Sequence, residues 1–255
     1  LGIGAVAKSV RDARLINQII AFSPPPSRTL DNFSVTLPLD NLFYPVDSAV
    51  MNNLTEVKKF LSLQMEVVDS PPPYYTEAAQ LWQQIMSIGI DEVCALAFGG
   101  KPVRLWREYL REVLFKSSDL HRFFTWVMIG AKTFAPSAAK IASIEETIAS
   151  GDQTVKHYLD DRLLILPVFH TAAKKHGEVI RDIFSIRRTF LRYMPFVAYP
   201  NVWGLPSLIV PVAEDEEGLP IGVQIISRVG NEEAIFKLGE LIEKHFRGYR
   251  RAPVK

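Results

Sequence analysis

The chain has 255 residues, which is enough for one large domain or two small ones, since domains commonly hold ~100–200 residues. Its hydrophobic fraction of 48% and charged fraction of 22% lie near the ~45–50% and ~25% of ordinary globular proteins, which excludes a disordered chain, collagen and a coiled coil. Lys and Arg number 29 against 28 Asp and Glu, and this net charge of +1 predicts no nucleic-acid partner.

Cysteine content and hydrophobicity indicate the compartment. A single cysteine, Cys94, excludes an intrachain disulfide and a Cys-rich metal site and is typical of a reducing compartment, so we expect a cytoplasmic protein. Because Cys94 lies in the apolar run 93–98, we interpret it as a buried structural thiol. No window reaches the ~18 uninterrupted apolar residues of a membrane helix, so no transmembrane span is predicted. The chain does not begin with Met, and we expect it to be a piece of a longer protein.

Helix and strand signals alternate over the first seventy residues, which predicts an α/β fold. In chain order they are a helix capped by Ser9 that ends before the prolines 24–26, a strand at 33–37, a helix opened by 45–47 that runs through Leu61, and a strand at 65–68.

Residues 76–150 predict a helical segment with almost no strand signal, with helices at 76–98, 103–115 and 120–129. Aromatic side chains are dense in this segment. One interpretation is the core of a helical subdomain. The other is an apolar ligand pocket, because such pockets are lined largely by hydrophobic and aromatic side chains, and it would include Phe124 and Trp126.

The last hundred residues return to an α/β pattern. The predicted elements are a helix at 152–161, a strand at 162–167, a loop through His170 and His176, strands at 207–212 and 221–226 joined by the acidic turn 214–218, and a final helix capped by Asn231. Gln224 on the second of the two late strands needs a buried hydrogen-bond partner.

Local motifs for catalysis are absent from the sequence. The five histidines are not spaced as a ligand pair, so we expect neither a metal site nor a cofactor. Lys116, Ser117 and Ser118 are adjacent, but neighbours on a helix do not face each other, and we interpret them as the start of the following helix. The motifs G-x-S-x-G and G-x-G-x-x-G do not occur.

Four segments carry a resemblance to a known family. They are 160–168, 172–177, 200–211 and 218–227. In order and spacing they resemble the C-terminal part of the amidase signature family, which shows a strand ending in Pro, an Asn-x-x-Gly-Leu-Pro turn, a strand with Pro, and Gly-Leu-Pro-x-Gly-x-Gln. The opening residues 1–12 are similar to the segment after that family's serine-rich core. Residues 176–177 and 243–249 resemble the fatty-acid amide hydrolase 2 type.

The resemblance implies a fold and an activity. The fold is a mixed sheet flanked by helices, in which residues 1–255 form the C-terminal part of one amidase domain and 76–150 a helical, insertion-like segment. The activity is hydrolysis of carboxylic amides, fatty-acyl or aryl amides among them, through an acyl-enzyme formed by a Ser–Ser–Lys triad.

The catalytic residues of that family have no counterpart in this chain. No Gly/Ser-rich segment of the Gly-Gly-Ser-Ser type occurs between Leu1 and Lys255, and glycine is scarce, 14 of 255 residues or about 5% against a usual ~7%. We therefore assign no catalytic residue here and expect an N-terminal half to carry the triad. That half and a small-molecule amide substrate are the predicted partners; the oligomeric state, a homo-oligomer included, stays open.

The late motifs are explained mostly by structure. Gly204 and Gly218 occur where turns need a positive φ. Asn201 and Trp203 are the residues predicted to reach a substrate channel. Two alternatives remain for the whole protein: a non-catalytic scaffold or partner protein, and the A subunit of a tRNA-dependent amidotransferase, which the near-zero net charge does not favour unless other subunits bind the tRNA.

Overall fold

A computed structural model describes residues 4–21, 28–97, 99–100, 103–175, 191–192 and 194–251. The helices of this part are α1 (Val10–Ile20), α2 (Ser48–Ser62), α3 (Ala78–Ile85), α4 (Ile90–Ala97), α5 (Leu105–Phe115), α6 (Arg122–Thr133), α7 (Ala138–Tyr158), α8 (Pro195–Val202) and α9 (Glu232–His245). The strands are β1 (Ser34–Thr36), β2 (Val67–Val68), β3 (Arg162–Pro167), β4 (Ser207–Glu214) and β5 (Pro220–Ile226).

The five strands form one mixed sheet in the order β2-β1-β3-β5-β4. β1 runs parallel to β2 and β3, whereas β5 runs antiparallel to β3 and β4. Helices pack around this sheet, so the predicted α/β class with a mixed sheet flanked by helices is confirmed. β3 is central because residues 163–166 are apolar without interruption, and all four are fully buried, as a strand covered on both faces requires.

Gln224 joins three parts of the core. Its Nε2 donates to the carbonyl oxygens of Pro167, at 3.1 Å, and Phe196, at 2.7 Å. These bonds connect β5 to the end of β3 and to the first turn of α8. The two bonds confirm the prediction that this buried amide finds partners. Leaving the amide unpaired would cost about 1–3 kcal/mol.

Polar contacts in the first two turns of α1 hold this helix against α9. Ser9 Oγ accepts from the Asp12 N–H at 3.0 Å, which confirms the predicted cap. Glu243 of α9 accepts from the Val10 N–H at 3.1 Å, and Arg14 pairs with Glu233. The first helix is therefore positioned along one face of α9.

The predicted N-cap role of Asn231 is wrong. Its side chain makes no capping hydrogen bond. Instead, Nδ2 donates to the carbonyl oxygens of Leu159 and Asp160 and to Ser227 Oγ, at 3.0–3.1 Å. The side-chain oxygen, which a cap would use as its acceptor, instead accepts from Arg28 Nη1 at 2.9 Å. The carbonyl groups at the end of α7 lack partners within their own helix and accept from the amide N–H groups. Asn231 therefore anchors the entrance of β3 to the start of α9.

Three helix predictions also need correction. The single helix expected at 76–98 is divided into α3 and α4, because Gly89 adopts a φ of +68° between them. The helix expected at 152–161 is the end of α7, which begins at Ala138 where Ser137 caps it. The helix after Ser118 is capped by His121, whose Nδ1 accepts from the Phe123 N–H at 3.3 Å, and not by the serines.

Some expectations lie outside the described residues: the proline stop at 24–26, Phe98, and the loop at 176–177. Within the described part, no helix is both long enough and apolar enough to cross a bilayer.

Candidate functional site

Asn201 and Trp203 lie at the junction between α8 and β4. Pro195 begins α8, and Gly204, with a φ of +59°, turns the chain into β4, as the sequence predicted. Asn201 is exposed, and its Nδ2 donates to the Val197 carbonyl one turn earlier at 2.7 Å. The junction therefore presents Asn201 outward at the edge of the sheet.

A cavity of about 610 Å³ opens beside Asn201; we call it the first groove. It lies between α1, the α8–β4 junction and the start of α9, and its size falls within the ~300–1,000 Å³ of ligand pockets. Its lining includes Ile16, Asn17, Asn201, Leu208, Glu232 and Phe236.

A second cavity, of about 440 Å³, lies beside the middle of β4 and the start of β5; we call it the second groove. Val168, Phe169 and Lys174 contribute to it from the loop after β3, and Ile209 and Pro211 from β4. Lys174 Nζ lies 5.9 Å from the centre of the Phe169 ring, so its charge borders an otherwise apolar surface.

Trp203 points away from both grooves. It is 4% exposed and packs on Tyr74, with 5.4 Å between ring centroids. A Cβ added to Gly151 of α7 would lie 2.4 Å from its ring, so the indole fills the space that this glycine leaves. Among the described residues its Nε1 has no hydrogen-bond partner.

An aromatic cluster adjoins Trp203. Tyr75 is 2% exposed, and its ring lies 5.6 Å from Tyr44 and 6.1 Å from Tyr199. Its hydroxyl has no partner among the described residues, and burial, with a smaller effect of Tyr44, holds the pKa of Tyr75 well above its usual value. Tyr199 donates to the Pro73 carbonyl at 3.2 Å, and burial likewise raises its pKa. Both phenols stay neutral near pH 7 and can act there through hydrogen bonds alone.

The sequence reasoning missed this cluster. Its signal is local: the prolines 71–73 end one segment, and two tyrosines follow directly. Tyr74 has a φ of +57°, which is uncommon for a residue with a side chain. That conformation turns the two rings in different directions, with Tyr74 against Trp203 and Tyr75 against Tyr199.

Phe124 and Trp126 lie elsewhere, on α6. Trp126 packs against Tyr109, at 5.4 Å between centroids, and belongs to a separate small core built on Ile90, Leu105, Met128 and Ile129. Phe124, two positions earlier, is 40% exposed, since residues i and i+2 of a helix point to different sides. Neither groove includes Phe124, Trp126 or Trp203 in its lining, so the four predicted substrate residues fall in three places.

The described part of the chain offers binding surfaces rather than a nucleophile. Lys58, Lys132 and Lys156 each pair with a carboxylate at 2.6 Å. Ser118 Oγ donates to the Glu108 carboxylate. This hydrogen bond, together with the nearby Arg111, lowers the pKa of Glu108. Burial raises the pKa of the Cys94 thiol, with Asp91 adding to the shift, which disfavours the reactive thiolate.

Comparison with known proteins gives the same architecture. Residues 3–236 match the family model described as Amidase. The A subunit of the glutamyl-tRNA(Gln) amidotransferase of Nostoc punctiforme (strain ATCC 29133 / PCC 73102) is 36% identical over 91 residues, which is 36% of this chain and 18% of that protein. The same A subunit from Bradyrhizobium sp. (strain ORS 278) is 47% identical over 49 residues, 19% of this chain and 10% of that protein.

Solved structures share the fold at low identity. A 6-aminohexanoate cyclic dimer hydrolase superposes with a TM-score of 0.61 and 18% identity, over 97% of this chain and 55% of its own. A fatty acid amide hydrolase superposes with a TM-score of 0.63 and 14% identity, over 93% of this chain and 47% of its own. The A subunit of the Thermotoga maritima glutamyl-tRNA(Gln) amidotransferase superposes with a TM-score of 0.60 and 18% identity, over 96% of this chain and 53% of its own. This chain thus spans about half the length of these structures.

These findings agree with the resemblance seen in the late motifs. The strand ending at Pro167, the Gly204 turn and the Gln224 strand occur as adjacent parts of one sheet. The family match extends over residues 3–236, which is well beyond half of the chain. The chain therefore belongs to the Amidase family.

Proposed function

We propose that this chain is the C-terminal part of an amide hydrolase whose Ser–Ser–Lys triad lies outside it. The supporting observation is that the family match extends over 3–236, whereas the solved relatives are about twice as long. The sequence from Leu1 to Lys255 contains no Gly/Ser-rich segment that could hold the triad.

The reaction needs two kinds of contribution. In the companion half, a serine attacks the amide carbonyl carbon, the lysine accepts its proton through the bridging serine, and backbone N–H groups stabilise the oxyanion. That proton then passes back to the amide nitrogen, the C–N bond breaks and the amine leaves. Water hydrolyses the acyl ester, which releases the carboxylic acid and restores the serine. This chain contributes a substrate contact through Asn201 at the rim of the first groove. Trp203, which is buried and lines neither groove, supports the junction that carries Asn201.

The isolated chain is expected to be inert toward serine-directed reagents. A fluorophosphonate probe should label no residue of the chain, and a panel of fatty-acid and aryl amides should not be hydrolysed, because the proposal places the activated serine outside the chain. The complete protein should be labelled on one serine outside the chain. Mass spectrometry of the labelled peptide identifies the labelled serine. The matched controls are Ser117→Ala and Ser118→Ala, which should leave the labelling unchanged. Labelling of a serine within 1–255 contradicts the proposal.

A fatty-acyl or aryl preference is a finer part of the proposal, based on the rings of Phe124 and Trp126 on α6. Phe124→Ala in the complete enzyme should raise KM for a long-chain amide about tenfold and leave a short-chain amide unaffected, since the lost contact is to the far end of the acyl chain. Phe115→Ala, which removes an exposed ring from α5, is the control. Trp126 is tested by Trp126→Phe, because its ring also supports the small core. Equal effects on both substrates remove the pocket from the proposal.

A second candidate is the A subunit of a tRNA-dependent amidotransferase. It is favoured by the curated relatives, which carry that name and reach 36% identity over 91 residues. Co-purification with other subunits, together with amide transfer to glutamyl-tRNA(Gln), would select it over a free-standing hydrolase. A complete protein that lacks a labelled serine would instead be a non-catalytic scaffold or partner protein.

A further inference from the structure

The start of α6 is capped by the imidazole ring of His121. We propose that His121 is a pH-sensitive switch, which holds the first turn of α6 when it is neutral and releases that turn when it is protonated. The first turn carries Phe124, the residue proposed to contact the far end of an acyl chain. The effect of the switch on substrate therefore rests on the proposed function, whereas its effect on the helix does not.

The capping hydrogen bond requires a neutral ring. The Phe123 N–H donates to His121 Nδ1 at 3.3 Å, so this nitrogen carries a lone pair and no proton. The backbone of His121 is extended, with φ −63° and ψ 134°, and Phe123 is the second residue of the helix, which is the geometry of a side-chain cap. Because a backbone N–H can only donate, the ring is neutral and its own proton is on Nε2.

Protonation removes this acceptor. Both nitrogens of an imidazolium ring are donors, so a proton on Nδ1 would face the Phe123 N–H. The charge would also lie at the N-terminus of α6, beside Arg122, where the helix dipole disfavours a cation. Both effects weaken the first turn as the pH falls.

α7 has the ordinary form of the same cap. Ser137 Oγ accepts from the Lys140 N–H, also at 3.3 Å. A serine hydroxyl does not titrate in this range, so this cap is expected to be independent of pH. The two consecutive helices therefore differ in the chemistry of the capping group, and α7 is an internal reference for α6.

The charged groups on α5 largely neutralise one another. Glu108 and Arg111 pair at 3.1 Å, and both bond to the turn before His121: Glu108 accepts from Ser118, and Arg111 donates to the Ser117 carbonyl. The last turn of α5 adds residues 112 and 116, a glutamate and a lysine of opposite charge. α5 therefore supplies no net charge that would hold an imidazolium in place.

α4 also packs on α6, and its charges lie toward the other end of that helix. Asp91, next to Glu92 in the first turn of α4, pairs with Lys132 in the last turn of α6 at 2.6 Å. The carboxylate nearest to His121 in the chain is Asp119, which is exposed, so water and salt screen its attraction for a cation. The loss of the acceptor therefore decides the effect of protonation.

The first turn of α6 has little packing to replace the cap. Phe123 is 37% exposed and Phe124 is 40% exposed. Farther along the helix, Met128 and Ile129 belong to the small core, which is separate from the large core around the sheet. A region with few buried contacts opens at a lower free energy than the rest of the fold. The first turn can therefore open while the sheet stays intact.

Hydrogen–deuterium exchange of the complete protein at pH 5 and pH 8 tests the switch, because a free imidazole titrates between these values, near ~6.5. The exchange rates are first corrected for the intrinsic effect of pH. We expect the protection of amides 123–126 to be about fivefold lower at pH 5, the usual effect of losing one side-chain cap. The first turn of α7, capped by Ser137, should keep its protection.

Substitutions separate the cap from its titration. His121→Asn keeps a side-chain acceptor that does not titrate, so protection should match the wild type at pH 8 and stay unchanged at pH 5. His121→Ala removes the acceptor, so protection should be low at both pH values. His157→Asn is the matched control: His157 is exposed near the end of α7, and its loss should leave the pH dependence of α6 unchanged.

The complete enzyme provides the second readout. Between pH 8 and pH 5, KM for a long-chain amide should rise about fivefold more than KM for a short-chain amide, because the released turn carries Phe124. His121→Asn should remove this difference between the two substrates, since it restores the cap at pH 5. A merely structural role of His121 would change both substrates alike.

The outcomes separate the switch from the proposed function. Wild-type protection of 123–126 that is equal at both pH values, or a pH dependence that persists in His121→Asn, overturns the switch. If the switch is seen by exchange but the complete protein hydrolyses no amide, the proposed function fails and the switch is supported. If the enzyme is active and both substrates respond equally to pH, the link between His121 and the acyl contact is overturned.

Discussion

Replacing Gln224 by Glu is expected to lower the free energy of unfolding by about 3–5 kcal/mol at pH 7, the range for an uncompensated buried charge. The side chain is almost fully buried, and both of its described partners are carbonyl oxygens. Among the described residues no hydrogen-bond donor is seen to this side chain, and a carboxylate at this position would face two oxygens of partial negative charge. Urea or guanidinium denaturation of the isolated chain measures the loss.

The loss should depend on pH with a definite sign. Desolvation and the facing carbonyls raise the pKa of the introduced carboxyl above its unfolded value of ~4.3. Its protonated form can still donate to one carbonyl, so the stability it retains is fully present below ~4.3 and is lost as the pH rises through the folded pKa. The difference from wild type should therefore be smaller at pH 4.5 than at pH 7.5.

Gln224→Met is the matched control, because it keeps the volume and removes the donor without adding charge. It should cost about 1–3 kcal/mol, the penalty for two carbonyls losing their partner, with no comparable pH dependence. Equal losses for both variants at both pH values would show that Gln224 serves only as packing volume.

The central strands of the fold could be predicted because their information is local. An unbroken apolar run at 163–166 is buried on both faces wherever it lies, and the glycines 204 and 218 can adopt a positive φ without strain. Gln224 followed from the same logic, since a polar residue in such a strand must be paired. These expectations needed no knowledge of distant contacts.

The errors arise where distant groups compete. Asn231 is a good cap by residue type, but Arg28, about two hundred residues earlier, donates to the side-chain oxygen that a cap would use. Gly89 divides a helix that apolar periodicity predicts as continuous, because periodicity does not register a positive φ. The candidate site shows the same limit: Asn201 and Trp203 are two positions apart, yet one borders a groove and the other packs under α7.

Trp203→Ala is the other substitution with a large expected effect, a loss of about 3–5 kcal/mol in the free energy of unfolding. The indole is 4% exposed and packs between Tyr74 and Gly151, so its removal leaves a cavity that α7 cannot easily close. Thermal or chemical denaturation of the isolated chain measures the loss. A drop of less than about 1 kcal/mol would mean that the ring contributes little packing and is held in place for another purpose.

Gly151 supplies the second half of a double-mutant cycle. In the wild-type background, Gly151→Ala should destabilise, because the new methyl lies 2.4 Å from the Trp203 ring and overpacking costs about 1–3 kcal/mol, more than the ~0.5–1 kcal/mol gained from helix propensity. In the Trp203→Ala background the same methyl enters the vacated space. There it should stabilise by about 0.5–1 kcal/mol.

The effect of Gly151→Ala on the free energy of unfolding therefore changes sign with the residue at 203. The difference between the two effects is the coupling energy between the two sites. Gly130→Ala on α6 is the control: no atom lies within 4 Å of its added Cβ, so it should stabilise by a similar ~0.5–1 kcal/mol in both backgrounds. If Gly151→Ala behaved like Gly130→Ala in both, the Trp203 ring would not lie against α7. A ring that does not lie against α7 could instead reach a substrate, which its burial there prevents.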